Sequence, residues 1–574
     1  MKKIIIGFTS ILTLFVNHIY SQTLSNVKYP RTPIGYKIET MYVDTLHEIL
    51  YIGGNFTSLE LPPSYSSTVT RNRIAAINLT NGKLLPWSPT INNGNVLAIA
   101  KVGDTIYAGG SFSEVEGQPA NCLVALDANI NNVNRTYNFI SGDTVRSIYA
   151  DHNNLFVGGI INHYGLLPDS IRQTYHLLQL NPVNGKLLRT FSNVLSADYF
   201  RNVSKIDFEN NKLYFIAERY DPFYLHAVME KSLICLDVLA SNGIAEYLIE
   251  AYAPLQGITP TIDDFIKKGN DLYIIGDFSQ LAYGTGVITN INQTACYNLN
   301  SKSFKTWNHL APYNLNSSNL RAAYGVKEHQ IVTFQDWIFF SLPYSIAIHA
   351  KENADLNSNQ TFNEISGYPV LESSTPNSGA FSNLLKICND KLIIINREIY
   401  SFGGPNVFPN GYNQRNLIYS YCLKARDAAT PKEINNLTTF CKYKSYQFYE
   451  PNHPDYTYCK WSYSGTGATI INNGNDTVTI TFALNASSGN LFVEGSNNCG
   501  QVGNSSFLAI SFYPLPDVFA GNDTTLNCKN NKQIIIKGST TLTNYSLEWN
   551  GPKIINATPN TSIDTAGIYY LKII

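Results

Sequence analysis

The chain has 574 residues, 41 Lys and Arg against 42 Asp and Glu, and only 14% charged residues, well under the roughly 25% of an average soluble protein. This balance gives no pull toward nucleic acid or an anionic lipid surface, so neither is expected as a partner. Polarity rests on Asn, Ser, Thr and Tyr, a mix that suits turn-rich β structure because Asn tolerates positive φ and Tyr favours strands.

Residues 1–21 read as a secretory signal. Lys2 and Lys3 precede an apolar run from Ile4 to Val16, and Ser21 offers a small residue at the cleavage point. The run falls short of the roughly 20 residues that cross a bilayer. No later stretch is long and apolar enough, so no transmembrane segment is expected. Export to the cell surface or medium follows.

The next 400 residues or so (about 22–428) repeat themselves. Leu50-Tyr51-Ile52-Gly53-Gly54-Asn55-Phe56 returns as Ile106-Tyr107-Ala108-Gly109-Gly110-Ser111-Phe112, then as Leu155-Phe156-Val157-Gly158-Gly159 and Leu272-Tyr273-Ile274-Ile275-Gly276-Asp277-Phe278. Aligned on the first glycine, copies fall at Gly53, Gly109, Gly158, Ile216, Ile275, Phe340 and Ile395, at intervals of 49 to 65 residues. Each unit reads as an apolar strand, a tight turn such as Gly103-Asp104 or Asn210-Asn211, the glycine strand, a third strand such as Arg73–Asn78, a turn such as Asn81-Gly82, and a fourth strand ending near Trp87 or Trp307. Four antiparallel strands in seven copies predict a seven-bladed β-propeller, so the fold class is all-β. The last unit lacks a fourth strand, and the segment at about residues 25–33 resembles one. The expectation is that it closes the last blade and leaves no open edge.

The long connections join second to third strands: Ile161–His176, Ala217–Ser232, Asp277–Thr294, Ser341–Asn383 and Tyr400–Arg415. They carry Tyr164, Tyr175, Tyr220, Phe223, Tyr224, Tyr283, Tyr344, Phe402 and Tyr412, together with Tyr368 and Phe408. Loops on a rigid ring are where function concentrates, so these aromatics are the expected binding face for a glycan or protein ligand.

A different pattern begins near residue 429. Cys441 precedes Trp461, and Cys528 precedes Trp549, each followed by short alternating strands. This predicts two immunoglobulin-like β-sandwiches, 429–515 and 516–574, each with its Trp in the core. Asp564–Tyr570 has the character of a tyrosine corner. Strand G is missing after it, so the last domain reads as incomplete.

Three resemblances rest on these residues. The repeats, through Ile106–Phe112, Arg71–Asn78 and Gly82–Trp87, resemble delta-60 or kelch-like β-propeller repeats of secreted bacterial proteins. Residues 431–515, through Cys441, Trp461, Gly467-Ala468-Thr469-Ile470 and Asn498-Cys499-Gly500, resemble PKD-like domains of secreted Bacteroidetes proteins. Residues 516–574, through Ala520–Asp523 and Trp549–Pro552, resemble another immunoglobulin-like module of the same proteins. The resemblance implies large, adhesive surface proteins.

Catalytic signatures are missing: the chain has no Gly-x-Ser-x-Gly, His-Glu-x-x-His, P-loop or calcium-loop pattern, and no zinc spacing. No cofactor and no metal are expected. Asp263-Asp264 is the nearest thing to a carboxylate pair, and it reads as a solvated strand-entry turn because neighbours in a strand face opposite ways. Of nine cysteines, Cys122, Cys235, Cys296, Cys388 and Cys422 lie in apolar strands and read as buried small side chains. Cys441 and Cys499 form the expected disulfide, with Cys459 as a competing partner. The leading reading is a non-catalytic exported binding or adhesion protein. A secreted propeller enzyme acting on carbohydrate, or a structural stalk, stands as the alternative.

Overall fold

The structure, a computed structural model, describes residues 23–573 apart from 166–171, 192–199, 221–228, 240–244, 253–260, 306–329, 352–379, 401–412, 424–427, 452–457, 497–502, 526–532 and several shorter stretches. The signal at 1–21 lies outside the described residues. All described regular structure is β, in two compact units, 1–425 with 497–501, and 426–496 with 502–574.

In the first unit the repeats become seven twisted sheets, which we number as blades. Their inner strands are Ile38–Asp44, Val96–Val102, Thr144–Ala150, Phe200–Glu209, Thr261–Lys268, Ile331–Phe334 and Ala380–Cys388. The glycine strands pair next to them, from Ile49–Gly54 in blade 1 to Lys391–Tyr400 in blade 7. Between neighbouring blades lie apolar layers. One joins blades 1 and 2 through Tyr51, Trp87, Ile99 and Phe112. Another joins blades 7 and 1 through Ile38, Met41, Leu384, Ile393 and Ile395, which makes the ring closed.

The glycine pair has two separate reasons. In blades 1, 2 and 3 the inner strand bulges at Glu39, Leu97 and Arg146, so two residues face one on the partner strand. A Cβ on the second glycine, Gly54, Gly110 or Gly159, would collide with the carbonyl oxygen of Lys37, Asn95 or Thr144 at that bulge. The first glycine faces the next blade instead. A Cβ at Gly53 or Gly158 would stand 2.5 or 2.6 Å from Cγ1 of Val96 or Val203.

Third strands end in a side chain that folds the following turn. Asn78, Asp127, Asn181 and Asn298 each accept two backbone N–H bonds from the turn through Oδ1. Asn210 and Asn211 both take positive φ, 52° and 62°, as their hairpin turn requires.

Blade 7 takes its fourth strand from the chain start. Thr23 and Leu24 pair with Cys422 and Tyr421, and Ser25 N–H donates to Ser420 O at 2.9 Å. The paired residues thus precede the expected 25–33, which run onward into blade 1. Tyr29 locks that passage. Its buried hydroxyl donates to Leu79 O at 3.0 Å in blade 1 and shares a 2.9 Å bond with Ser420 Oγ in blade 7.

Two expectations change. Strand Ser345–Lys351 pairs with Trp337–Leu342 across residues 343–344, so blade 6 has a two-residue connection where a long one was expected. Its alternating apolar residues make a strand where the sequence was read as loop. Cys422 is disulfide-bonded rather than a buried free thiol. Cys122, Cys235, Cys296 and Cys388 are free and buried as expected, and burial pushes the Cys122 and Cys388 thiols up to about 12, which keeps them inert.

In the second unit, sheets Lys432–Glu433/Lys444–Tyr449/Thr477–Phe482/Ala468–Asn472 and Tyr458–Tyr463/Gly489–Ser496/Ser506–Ile510 enclose Phe440, Phe448, Trp461, Ile480 and Leu491. This is the predicted sandwich with its tryptophan inside. Cys441 is an exposed free thiol and Cys459 a buried one, so the expected bond at Cys441 is not made; Cys499 lies outside the described residues. In the last domain Trp549 is 1% exposed, and Tyr569 donates to Thr565 O four residues back at 2.7 Å, the hydrogen bond of a tyrosine corner.

Replacing Tyr29 with Phe removes both bonds of a buried hydroxyl and should cost about 1–3 kcal/mol. Scanning calorimetry should show the propeller transition lowered, and an unchanged transition would remove Tyr29 as the lock. Burial also raises the phenols of Tyr29, Tyr51, Tyr149 and Tyr421 from 10.0 to about 12. A phenol raised on folding stabilises the protein below pH 10 and loses that contribution as pH climbs through the folded value. Alkaline titration should therefore show tyrosinate absorbance rising together with loss of circular dichroism between about pH 10 and 12, rather than ahead of it.

Candidate functional site

Two features share the end of the ring where second strands finish and inner strands begin. The first is a set of small hairpins in the second-to-third connections. They are Ser58–Leu61 with Ser67–Thr70, Glu114–Val115 with Gln118–Pro119, His163–Tyr164 with Arg172–Gln173, and Gln280–Tyr283 with Val287–Asn290. Two apolar residues, three apart, root each one: Phe56 and Leu59, Phe112 and Val115, Ile161 and Tyr164, Phe278 and Leu281, all at most 5% exposed.

The hairpins of blades 1, 2 and 3 clamp the crossover that enters their own blade, and that of blade 5 pairs with the outer strand of blade 4. Glu60 bridges to Arg31, and their side chains form a 2.6 Å ion pair while Arg31 also stacks 4.2 Å from the Tyr65 ring centre. Glu114 and Val115 pair with Asn92 and Ile91. Tyr164 bridges to Phe139, and Leu281 pairs with Ala251, which extends the blade 4 sheet to six strands.

The preceding blade grips the same crossovers from the other side. Arg73, Cys122 and His176 stand just before the third strand with φ of 69°, 64° and 72°. Left-handed backbone is uncommon for such residues and marks a position held by its surroundings. Their N–H groups donate to Phe56, Phe112 and Ile161 carbonyls at 2.7–3.0 Å. Arg73 then reaches Ile91 O at 2.8 Å and Gly94 O at 2.6 Å, and Cys122 Sγ reaches Asp143 O at 2.9 Å.

This clamp decides where the expected aromatics go. Tyr164 is buried, edge-on to Phe139 at 5.1 Å, with its hydroxyl on Gly185 O at 2.7 Å. It therefore belongs to the inter-blade core and not to a binding face, because closing the hairpin on the crossover turns it inward. Tyr283 is half-buried and stacks on Tyr297 at 5.1 Å. Tyr220 ends a glycine-strand equivalent, Lys212–Tyr220. Tyr175, Phe223, Tyr224, Tyr344, Phe402 and Tyr412 lie outside the described residues, as do Tyr368 and Phe408. What the hairpins do expose is polar: Ser64, Ser66, Ser67 and Thr68 on one tip, Glu116, Gly117 and Gln118 on the next.

The second feature lies at the axis. Opposite the first glycine, blades 1 to 3 carry the small residues Thr40, Ala98 and Ser147. Blades 4 and 5, where that glycine has become Ile216 and Ile275, carry Lys205 and Asp264. These two meet across the blade interface, Nζ to Oδ1, at 2.8 Å. Asp264 also accepts Phe265 N–H at 2.9 Å and, from blade 6, Ile331 N–H at 3.1 Å.

Asp263 and Asp264 are 4% and 5% exposed, so the expected solvated turn is corrected. A bulge at Asp263 suspends strict alternation and lets both neighbours be buried. Two positions further on stand Asp207 in blade 4 and Lys386 in blade 7, at equivalent register. Lys386 is half-buried, and burial followed by repulsion from Lys205 lowers its ammonium to about 8 from 10.5, while Asp264 and Asp207 pull the other way.

A separate pair, Asp44 and Lys101, joins blades 1 and 2 at 2.8 Å. Burial opposes ionisation of Asp44, but hydrogen bonds from Lys101 and His47 hold its carboxyl below the usual range. Among the described residues, no group of three or more His, Cys, Asp or Glu is arranged to hold a metal ion. No described helix is long and apolar enough to cross a membrane.

Residues 427–510 match a family profile described as a PKD-like domain. The match covers the first sandwich. No curated protein matches the chain. Solved structures it is similar to include the extracellular region of Plexin A4, domains 1 to 8, at 9% identity and a TM-score of 0.35, covering 96% of this chain and 81% of that one. Drosophila Semaphorin 2a is similar at 9% identity and TM-score 0.35, with 86% and 99% covered. Raptor of Chaetomium thermophilum is similar at 8% and 0.35, with 71% and 29% covered.

Lys205→Met keeps the stem but leaves Asp264 buried without its cation. Lys205 is one-third exposed, so the cost should be about 2 kcal/mol rather than the roughly 3–5 of a fully buried pair. Denaturation of Lys205→Met, Asp264→Asn and the double variant should show the double less destabilised than the sum; strict additivity would mean that the two residues do not act as a pair.

Proposed function

We propose that the chain is an exported, non-catalytic surface protein that binds a glycan or protein ligand with the hairpin end of its propeller. The immunoglobulin-like and PKD-like sandwiches act as spacers, in the manner of the delta-60 and kelch-like adhesive proteins it resembles. The observation that carries this reading is the double clamp on the crossovers. The hairpins of blades 1, 2 and 3 are each fixed at the base by a buried apolar pair and by bonds to a crossover, so their polar tips are presented without loss of order on binding. The tips offer hydroxyl, amide and carboxylate groups suited to a hydroxyl-rich or peptide surface.

Hydrolysis of carbohydrate asks for two carboxylates, one of them free to exchange a proton. Asp264 is occupied by Lys205 and two backbone N–H groups, and Asp44 by Lys101 and His47, which supports binding over hydrolysis.

The test uses the full chain on a glycan array and in a pull-down from cell-envelope extract, beside a variant with Ser67→Arg and Gln118→Arg at two exposed tips. At least one binder is expected, weakened tenfold or more by the variant, on the order of 1.4 kcal/mol. Silence in both assays, or binding indifferent to the tips, would overturn the reading.

A further inference from the structure

The outer face of the first sandwich carries a cleft of its own. Its floor is the strand Thr477–Phe482. Val478, Ile480 and Phe482 are fully buried in the core, so Thr477, Thr479 and Thr481 face outward. Thr481 stands across from Ser445 on one neighbouring strand and Thr469 on the other, and its Oγ1 shares a 2.7 Å hydrogen bond with Ser445 Oγ. Two turns flank this row of hydroxyls. One carries Leu484 and Asn485, and is fixed by Ala483 N–H on Gly467 O at 2.7 Å and by the fully buried Ala486. The other carries Tyr443, and is fixed by Cys441 N–H on Tyr446 Oη at 2.7 Å. Tyr443, Thr469, Thr481, Leu484 and Asn485 line the resulting cleft of about 540 Å³, within the range of roughly 300–1,000 Å³ that small-ligand sites occupy. Among the described residues, no charged side chain lines it. Tyr443 is held there against its own preference. It is 83% exposed, so the ring adds little to packing, and its φ is +60°, a left-handed backbone that a bulky residue avoids. A strained residue that does not serve the core points to contact with a ligand.

We propose that this cleft is a saccharide site belonging to the sandwich itself, and that it takes a short stretch of an uncharged glycan. A pyranose ring has a face of C–H groups and a rim of hydroxyls. The C–H face stacks on the exposed Tyr443 ring, with Leu484 beside it. The rim exchanges hydrogen bonds with the hydroxyls of Thr469 and Thr481 and with the Asn485 amide, all of which both donate and accept. A neutral lining offers no counter-charge to a carboxylate, sulfate or phosphate, so acidic glycans are disfavoured. An extended peptide is the poorer fit. The floor strand is paired on both sides, so it presents side chains alone and no free backbone edge for a peptide to join. The sandwich then does more than hold the propeller at a distance.

The site is independent of the hairpin tips, so the two readings fail separately. Its test uses the full chain carrying Ser67→Arg and Gln118→Arg, so that the tips contribute no binding. This chain is titrated by calorimetry with cellohexaose, mannohexaose and maltohexaose, and with hexagalacturonate as the acidic counterpart. At least one neutral hexasaccharide should bind with a Kd of about 1 mM or tighter, and hexagalacturonate roughly tenfold more weakly or not at all. Tyr443→Gly removes the ring and suits the left-handed backbone. It should weaken binding about tenfold or more while the melting temperature of the sandwich holds or rises. Tyr443→Phe keeps the stacking face and should bind within about threefold of its parent. Thr481→Val removes one hydroxyl and should weaken binding by about threefold or more. Silence toward all three neutral sugars, a preference for hexagalacturonate, or binding untouched by Tyr443→Gly would overturn the proposal. If Tyr443→Gly melts lower, the ring packs after all, and undiminished binding by Thr481→Val then overturns it.

Discussion

The grip on the crossovers between blades is the constraint on which the rest of the propeller depends. A blade by itself is a small sheet with two apolar faces and a solvated edge, and it is stable only between neighbours. The chain must therefore pass from the outer strand of one blade to the inner strand of the next without fraying. Here the passage into blade 2 is held by Glu114 and Val115 from the blade it enters and by Arg73 from the blade it leaves. The same two-sided hold recurs around Asp143 and Phe139 on entering blade 3.

This arrangement explains why the repeat has the residues it has. The second glycine exists because the inner strand bulges toward it, and the first because a Val of the next blade leans against it. Phe and a second apolar residue three positions later exist because the hairpin needs a buried root. Ring closure uses the same logic with different parts: Arg31 pairs with Glu60 as a crossover residue would, and Tyr29 ties Leu79 to Ser420.

Departures from the repeat are informative for the same reason. Where a glycine gives way to Ile216 or Ile275, the neighbouring inner strand gains Lys205 or Asp264, and the buried ion pair adds a desolvation cost that packing alone would not incur. Buried ion pairs stand in both halves of the ring, Asp44 with Lys101 between blades 1 and 2 and Lys205 with Asp264 between blades 4 and 5.

Much of the fold was legible in the sequence. A glycine pair recurring with apolar strands, Asn-rich turns and a Trp at the unit's end shows β periodicity and copy number directly, because each feature is local to a few residues. The Cys and Trp offsets likewise placed Trp461 and Trp549 inside sandwiches. What the tertiary structure alone decided depends on residues far apart in the chain. It buried Tyr164 against Phe139, left Cys441 free and bonded Cys422, replaced the expected long loop of blade 6 by a two-residue connection, and buried Asp263 with Asp264 at a bulge. Side-chain periodicity tells which way a residue faces only while the strand alternates; a bulge, a clamped hairpin or a partner from another blade resets that direction, and those are properties of the closed ring.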